Sequence, residues 1–132
     1  MEPIDIARLA AQVAEDKLGR GVLILDLSQI SIMCDYFVVV SAPTRIQTRD
    51  IARAIEEKLS QQQVAGKPLQ GMREGSWILM DFGTVVVHIF LEAERRFYDL
   101  EGLWSQARVI YESSDHDYPE TTTASAGRRS NQ

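Results

Sequence analysis

The sequence predicts a single α/β domain, in which helices alternate with strands. Residues 4–18 carry apolar side chains at three- and four-residue spacing, which is typical of an amphipathic helix. Short apolar runs at 22–27 and 36–41 predict strands. Residues 77–90 predict a β-hairpin, because two runs of β-branched and aromatic residues flank a Gly-Thr pair. The 132 residues suffice for one domain that buries roughly 68% of its unfolded surface.

The composition is that of an ordinary soluble globular protein with an acidic balance. Hydrophobic residues make up 45% of the chain and charged residues 25%, and the net charge is -5. This charge argues against non-specific nucleic-acid binding, which relies on Lys and Arg, and suits a basic protein partner better. No apolar run approaches the ~20 residues needed to span a bilayer, and no signal peptide is visible. We therefore expect a cytoplasmic protein with no membrane partner and little direct nucleic-acid contact.

The chain contains too few Cys and His residues for a disulfide or a zinc site. Cys34 is the single cysteine, which excludes an internal disulfide and fits a reducing compartment. Together with His88 and His116 it gives too few ligands for zinc, and a small buried hydrophobic role suits it better. We expect no metal and no cofactor.

A second helix is predicted from Thr44 to about Gln63. Thr44 and Gln47 have the spacing of a capping box, in which each side chain satisfies an orphan backbone N–H. The expected buried stripe of this helix consists of Thr48, Ile51, Ala52, Ile55 and Leu59. The polar, glycine-containing segment that follows, up to Gly75, is predicted to be mostly loop.

Arg45, Arg49 and Arg53 stand one turn apart on a shared side of this helix. One interpretation is a basic ridge that grips RNA or an acidic partner. The other is a solvated face with local pairs such as Arg53 with Glu57. On an acidic protein the second interpretation is favoured.

The hairpin turn sorts the side chains onto two faces. A two-residue loop with Gly83 first suits a primed turn, because Gly accepts a positive φ without steric cost. A slip of the loop by one residue, to Phe82-Gly83, keeps the sorting, whereas a three-residue loop breaks it. One face is apolar and must be core: Ile78, Met80, Phe82, Val85, Val87 and Ile89. The other, here called the mixed face, carries Trp77, Leu79, Asp81, Val86, His88 and Phe90.

The mixed face is too apolar for a solvated surface and too polar for a dry core. Either a helix covers it and satisfies Asp81 and His88, or it is a docking surface for another molecule. The residues alone favour the first interpretation. Asp81 and His88 are also the only pair of side chains suited to catalysis, because a carboxylate can orient an imidazole for general-base work. Tyr98 and Asp99 are expected beside them. No nucleophile, metal or cofactor motif accompanies them, so we expect a protein without catalytic residues.

The C-terminal part is predicted to end in a short helix and a tail. Residues 92–98 read as a helix with Glu92 and Glu94 in its first turn, where acidic side chains suit the dipole. Residues 98–104 are expected to add one or two helical turns that pack back on the sheet. From Ser113 onward the chain has almost no apolar content, so we expect a domain over 1–112 and a disordered tail over 113–132.

Four longer motifs occur in the order typical of one protein family. They are D-Y-F at 35–37, W-x-L-x-D-x-G at 77–83, V-V-V-H at 85–88 and F-Y-D-L-E-x-L-W at 97–104. On these residues the chain, over roughly 4–111, strongly resembles the ribosomal silencing factor family, also called Iojap-like proteins. The resemblance implies a mixed β-sheet flanked by helices, related to the nucleotidyltransferase fold.

The resemblance also implies a function. Members bind the large ribosomal subunit through ribosomal protein L-fourteen, on the face that meets the small subunit. Binding blocks subunit joining and lowers translation when nutrients are scarce, and members tend to self-associate, so a homodimer is implied too. The family's docking positions fall here on Trp77, Leu79, Asp81, His88, Phe90, Tyr98, Asp99 and Trp104.

These positions coincide with the mixed face, so the resemblance shifts the preference toward docking. Large aromatic side chains suit that role, because contact hot spots concentrate in them. Trp104 is also suited to packing on the sheet. One departure is the segment A-P-T-R-I-Q-T-R at 42–49, where many relatives carry a serine-rich stretch.

The fold relationship makes a nucleotidyltransferase the alternative function. Such enzymes need a Gly-Ser turn followed by spaced acidic residues that hold Mg²⁺ on a nucleotide. Asp35 is alone in the comparable region, with no second acid two residues on. Fold alone does not confer the activity.

Overall fold

The computed structural model describes residues 1–98 and 105–113, and it describes residues 96–98 by their backbone only. These residues form three helices and five strands. The elements are α1 (Pro3–Asp16), β1 (Arg20–Asp26), β2 (Tyr36–Ala42), α2 (Arg45–Gln61), β3 (Trp77–Asp81), β4 (Val85–Leu91), α3 (Glu92–Tyr98) and β5 (Arg108–Glu112). Every helix and strand predicted up to residue 98 is present, so the predicted α/β class is confirmed.

The five strands form one mixed sheet in the order β3-β4-β2-β1-β5. Strands β2 and β4 are parallel, and the other neighbouring pairs are antiparallel. A parallel pair needs a long crossover connection, which α2 and the hairpin's first strand supply here. The mixed sheet flanked by helices is therefore confirmed.

The main core lies where α1 and α2 pack on one face of the sheet. The buried side chains of α2 are those predicted from its periodicity: Thr48, Ile51, Ala52, Ile55 and Leu59. The apolar hairpin face also points into this core, with Phe82 only partly buried at its end. Thr44 caps α2 as predicted, since its side-chain oxygen accepts a hydrogen bond from the Gln47 N–H at 3.2 Å. The other half of the predicted capping box is not formed, because the Gln47 side chain accepts from the Thr44 hydroxyl at 3.1 Å in place of the Thr44 N–H.

The hairpin has the predicted two-residue loop. The Phe82 N–H donates to the Val85 carbonyl at 2.9 Å, which leaves Gly83 and Thr84 as the loop. Gly83 has a φ of 87°, in the left-handed region that glycine tolerates. The resulting register places Trp77 opposite Phe90.

Strand β5 was missed by the sequence analysis. It is a short edge strand with little burial, and it pairs antiparallel with β1. Ser113, predicted to open a disordered tail, is buried beside it, and its N–H donates to the Val22 carbonyl at 2.9 Å. Ser113 thus belongs with the sheet, while residues 114–132 lie outside the described residues.

Candidate partner-binding face

The mixed face is graded from buried to half-exposed. Phe90 is fully buried and His88 is 4% exposed. Trp77, Leu79 and Asp81 on the edge strand β3 are half-buried. The eight predicted docking residues therefore do not form one exposed set, because His88 and Phe90 lie beneath the edge residues.

An aromatic cluster forms the interior of this face. The rings of Trp77 and Phe90 stack with centroids 5.1 Å apart, and the ring of Phe37 lies 4.4 Å from that of His88. Leu23 and Val39 complete a second, smaller core around Phe90. Sequence reasoning missed the part played by Phe37, which depends on the parallel pairing of β2 with β4.

His88 is a neutral hydrogen-bond acceptor in this cluster. The Trp77 indole Nε1–H donates to His88 Nδ1 at 3.1 Å, so the proton of the neutral ring resides on Nε2. Burial lowers the pKa of His88 to about 4. Its Nε2 is buried and has no hydrogen-bond partner within the described part of the chain. The ring therefore fixes the orientation of the Trp77 indole.

Asp81 does not orient His88, which corrects the predicted constellation. The sheet register pairs Asp81 with Val86, while His88 lies opposite Leu79. One Asp81 oxygen accepts from the Gly83 N–H at 2.8 Å, and the other lies 3.5 Å from the Lys67 ammonium. The imidazole–carboxylate arrangement needed for general-base work is thus not formed between these two residues.

The remaining predicted docking residues lie at the end of α3 and after it. Tyr98 ends this helix, but its side chain lies outside the described residues, as do Asp99 and Trp104. Helix α3 itself contacts the sheet through Arg95, whose Nη1 lies 3.4 Å from the Ser41 hydroxyl. The predicted helical turns over 98–104 also fall largely outside the described residues.

The arginines of α2 do not form one shared face, because two of them bind the chain's own backbone and one is solvated. Arg49 and Arg45 donate to backbone carbonyls of the loop that precedes β3. Arg53 is exposed, as a solvated face requires. The ion pairs of residues 1–98 do not include the predicted one between Arg53 and Glu57.

Neither a metal cluster nor a membrane helix occurs among the described residues. Within 1–98 and 105–113, no three His, Cys, Asp or Glu side chains converge to hold a metal ion. In the same ranges, no helix is both long and apolar enough to cross a membrane. Cys34 is half-buried, and burial together with the nearby carboxylates of Asp35 and Asp81 raises the pKa of its thiol.

The fold and this face define a class of protein: a small mixed α/β domain with an aromatic cluster on its edge hairpin. The chain belongs to the family described as "Ribosomal silencing factor during starvation", which it matches over residues 1–132. The family resemblance predicted from the motifs is thereby confirmed.

Individual relatives agree with this assignment. The chain is 36% identical over 107 residues to the ribosomal silencing factor RsfS of Bacillus subtilis, a match that covers 81% of this chain and 91% of that protein. It is 30% identical over 110 residues to the chloroplastic protein Iojap of Arabidopsis thaliana, covering 83% of this chain and 45% of that protein. A crystal structure of a Chromobacterium violaceum protein superimposes with a TM-score of 0.77 at 33% identity, covering 80% of this chain and 88% of that one.

Proposed function

We propose that this protein is a translational repressor that binds the large ribosomal subunit through ribosomal protein L-fourteen. By occupying the surface that meets the small subunit, it excludes subunit joining by steric overlap. It acts in the cytoplasm and has no catalytic activity. The observation that carries the proposal is the Trp77-centred face on a chain that belongs to the ribosomal silencing factor family.

The half-exposed edge of the mixed face is the contacting part. Trp77 and Leu79 supply apolar area, and Asp81 supplies a charge at the end of the strand. Buried aromatic residues with a polar handle are typical anchors of protein interfaces. In this proposal Tyr98, Asp99 and Trp104, at the end of α3 and after it, extend the contact.

His88 and Phe90 support this edge from below. Phe90 stacks on the Trp77 ring, and His88 accepts the indole N–H. Because the indole N–H already has an acceptor, the partner does not have to supply one when the ring is desolvated. A ring held in one orientation also loses less conformational entropy on binding than a free one.

Charge supports a protein partner in preference to bare RNA. The net charge is -5, and two of the three α2 arginines are engaged with the chain's own backbone. An acidic surface is repelled by phosphates and attracted by the basic side chains that ribosomal proteins present. A blocking protein needs only placement and affinity, so this function requires no reactive group.

Co-sedimentation with separated ribosomal subunits tests the proposal. We expect the protein to migrate with the large subunit and not with the small one. Trp77→Ala should abolish most of this binding while the far-UV circular dichroism spectrum is retained. Arg53→Ala is a matched control, because Arg53 is exposed on the helical face away from the core.

Two outcomes contradict the proposal. One is migration with the small subunit or with neither subunit. The other is metal-dependent nucleotide transfer that is lost on Asp35→Ala, which would favour the nucleotidyltransferase alternative. Self-association is tested separately by sedimentation equilibrium of the free protein. A homodimer that covers the mixed face is expected to compete with ribosome binding.

A further inference from the structure

The segment 71–76, here called the β3 loop, is held by side chains from the start of α2. Four consecutive carbonyls of this loop each accept a hydrogen bond from one of three α2 residues. Arg49 Nε donates to Met72 O and Arg49 Nη2 to Arg73 O, both at 2.8 Å; Arg45 Nε donates to Glu74 O at 3.0 Å; Thr48 Oγ1 donates to Gly75 O at 2.7 Å.

Arg49 makes two of these four contacts, to the first two carbonyls. Its planar guanidinium presents two donors in a fixed geometry, which matches two neighbouring carbonyls. Lysine has a single ammonium on a flexible stem and does not reproduce this fork. Arg49 is half-buried, whereas Arg45 and Arg53 are exposed. The loop backbone therefore depends on Arg49 more than on either neighbouring arginine.

The β3 loop is closely packed between Arg49 and the start of β3. Gly71 and Gly75 have φ values of 86° and 71°, in the left-handed region. A Cβ at Gly71 would lie 2.0 Å from the Trp77 carbonyl oxygen, and one at Gly75 would lie 3.2 Å from Arg49 Cζ. The loop thus contacts Trp77 on one side and the guanidinium on the other.

Trp77 is the first residue of an edge strand, so the loop sets its position. Strand β3 has β4 as a neighbour on one side; on the other, within residues 1–98, it meets the isolated bridge between Gln70 and Leu79 and the Lys67 N–H, which donates to the Asp81 carbonyl at 2.9 Å. The Ser76 carbonyl, at the end of the loop, accepts from the Leu91 N–H at 2.9 Å. A loop carbonyl that moved would shift the backbone that carries the indole.

We propose that Arg49 is a positioning residue for partner binding. Its guanidinium fixes the carbonyls of Met72 and Arg73 and thereby places the Trp77 indole on the mixed face. The inference rests on the proposed function in that Trp77 is the contact residue. Arg49 does not itself touch the partner, which distinguishes this role from a direct contact with ribosomal RNA.

The test compares Arg49→Lys with Arg53→Ala. If Arg49 contacted phosphate, Lys would keep the charge and most of the affinity, and loss of the exposed Arg53 would also weaken binding. A positioning role gives the reverse pattern. Arg49→Lys should weaken large-subunit binding by about tenfold, and Arg53→Ala should leave it unchanged within about twofold.

A second readout follows the indole directly. The Trp77 Nε1–H resonance in a ¹H–¹⁵N spectrum, assigned by its loss in Trp77→Phe, reports the hydrogen bond to His88 Nδ1. Arg49→Lys should shift or broaden this resonance, while Arg53→Ala should leave it in place. A residue that only stabilised the fold would lower the urea midpoint without moving the indole resonance of the native protein.

The outcomes distinguish a failure of the positioning role of Arg49 from a failure of the proposed function. Arg49→Lys with wild-type affinity and an unmoved indole resonance overturns the positioning role, and so does an equal loss of affinity in Arg53→Ala. If the wild-type protein does not bind the large subunit, the proposed function fails, and the indole resonance alone decides whether Arg49 places Trp77. Should Arg49→Lys not fold, Arg45→Ala removes the neighbouring contact to Glu74 O at an exposed position, and a smaller shift of the same resonance is expected.

Discussion

Protonation of His88 should destabilise the folded protein, and the structure gives the size of the effect. The ring is 4% exposed and its pKa is lowered by burial from 6.5 to about 4. Protonation would turn Nδ1, which accepts the Trp77 indole N–H, into a donor that faces another donor. It would also leave a buried charge without a counter-ion among the described residues.

Proton linkage gives the direction in which the stability of the fold changes with pH. Between pH 6.5 and pH 4 the unfolded chain binds a proton at His88 and the folded chain does not, so stability falls as the pH falls. One pKa unit corresponds to about 1.4 kcal/mol, which gives a loss of about 2 kcal/mol at pH 5 relative to pH 7. Below pH 4 the loss levels off at about 3 kcal/mol.

Urea unfolding at pH 7, 6 and 5, followed by far-UV circular dichroism, measures this loss. His88→Asn is the matched control, because its Oδ1 is bonded to Cγ as Nδ1 is, and so keeps an acceptor for the indole N–H on a side chain that does not titrate. The unfolding free energy of the wild type, relative to that of the variant, should fall by about 2 kcal/mol from pH 7 to pH 5. Other groups, such as Asp26 with its lowered carboxyl pKa, contribute equally to both proteins. Parallel pH profiles would refute the burial of His88.

The other predictions concern single side chains. Thr48→Val should cost about 1–2 kcal/mol of stability by urea unfolding, because the Gly75 carbonyl loses its donor in a buried site, and Thr48→Ser should restore most of it. Trp77→Ala should weaken large-subunit binding about thirtyfold while the domain stays folded; equal loss of folding would assign Trp77 to the core. Asp81→Asn should change stability by less than about 1 kcal/mol, since its partner Lys67 is exposed; a larger loss in urea unfolding would contradict a surface ion pair.

Local patterns were sufficient to predict most of the fold. The stripe of α2 from Thr48 to Leu59 follows from helical spacing alone, and the hairpin register follows from a glycine that accepts a positive φ. In both cases the information lies within a few residues of chain. Strand β5 was missed because it is short and half-exposed, and it is defined mainly by pairing with β1, over 80 residues earlier in the chain.

The candidate site was predicted only in part, because its contacts are long-range. Alternation placed Asp81 and His88 on one face, but the register and the indole donor decide that His88 pairs with Trp77. The arginine spacing indicated a ridge, yet Arg49 faces carbonyls 23 and 24 residues away, which periodicity cannot reveal. The docking positions that the family motifs imply include both the edge residues and those beneath them, which the motifs do not distinguish.

The most direct test of the account is a subunit-joining titration. Separated large and small subunits are mixed at rising concentrations of the protein, and the fraction of joined ribosomes is read from a sucrose gradient. The account predicts that the wild-type protein lowers this fraction as it saturates the large subunit, while Trp77→Ala does so only at far higher concentration. Unchanged joining with the large subunit saturated, or equal inhibition by Trp77→Ala, would contradict it.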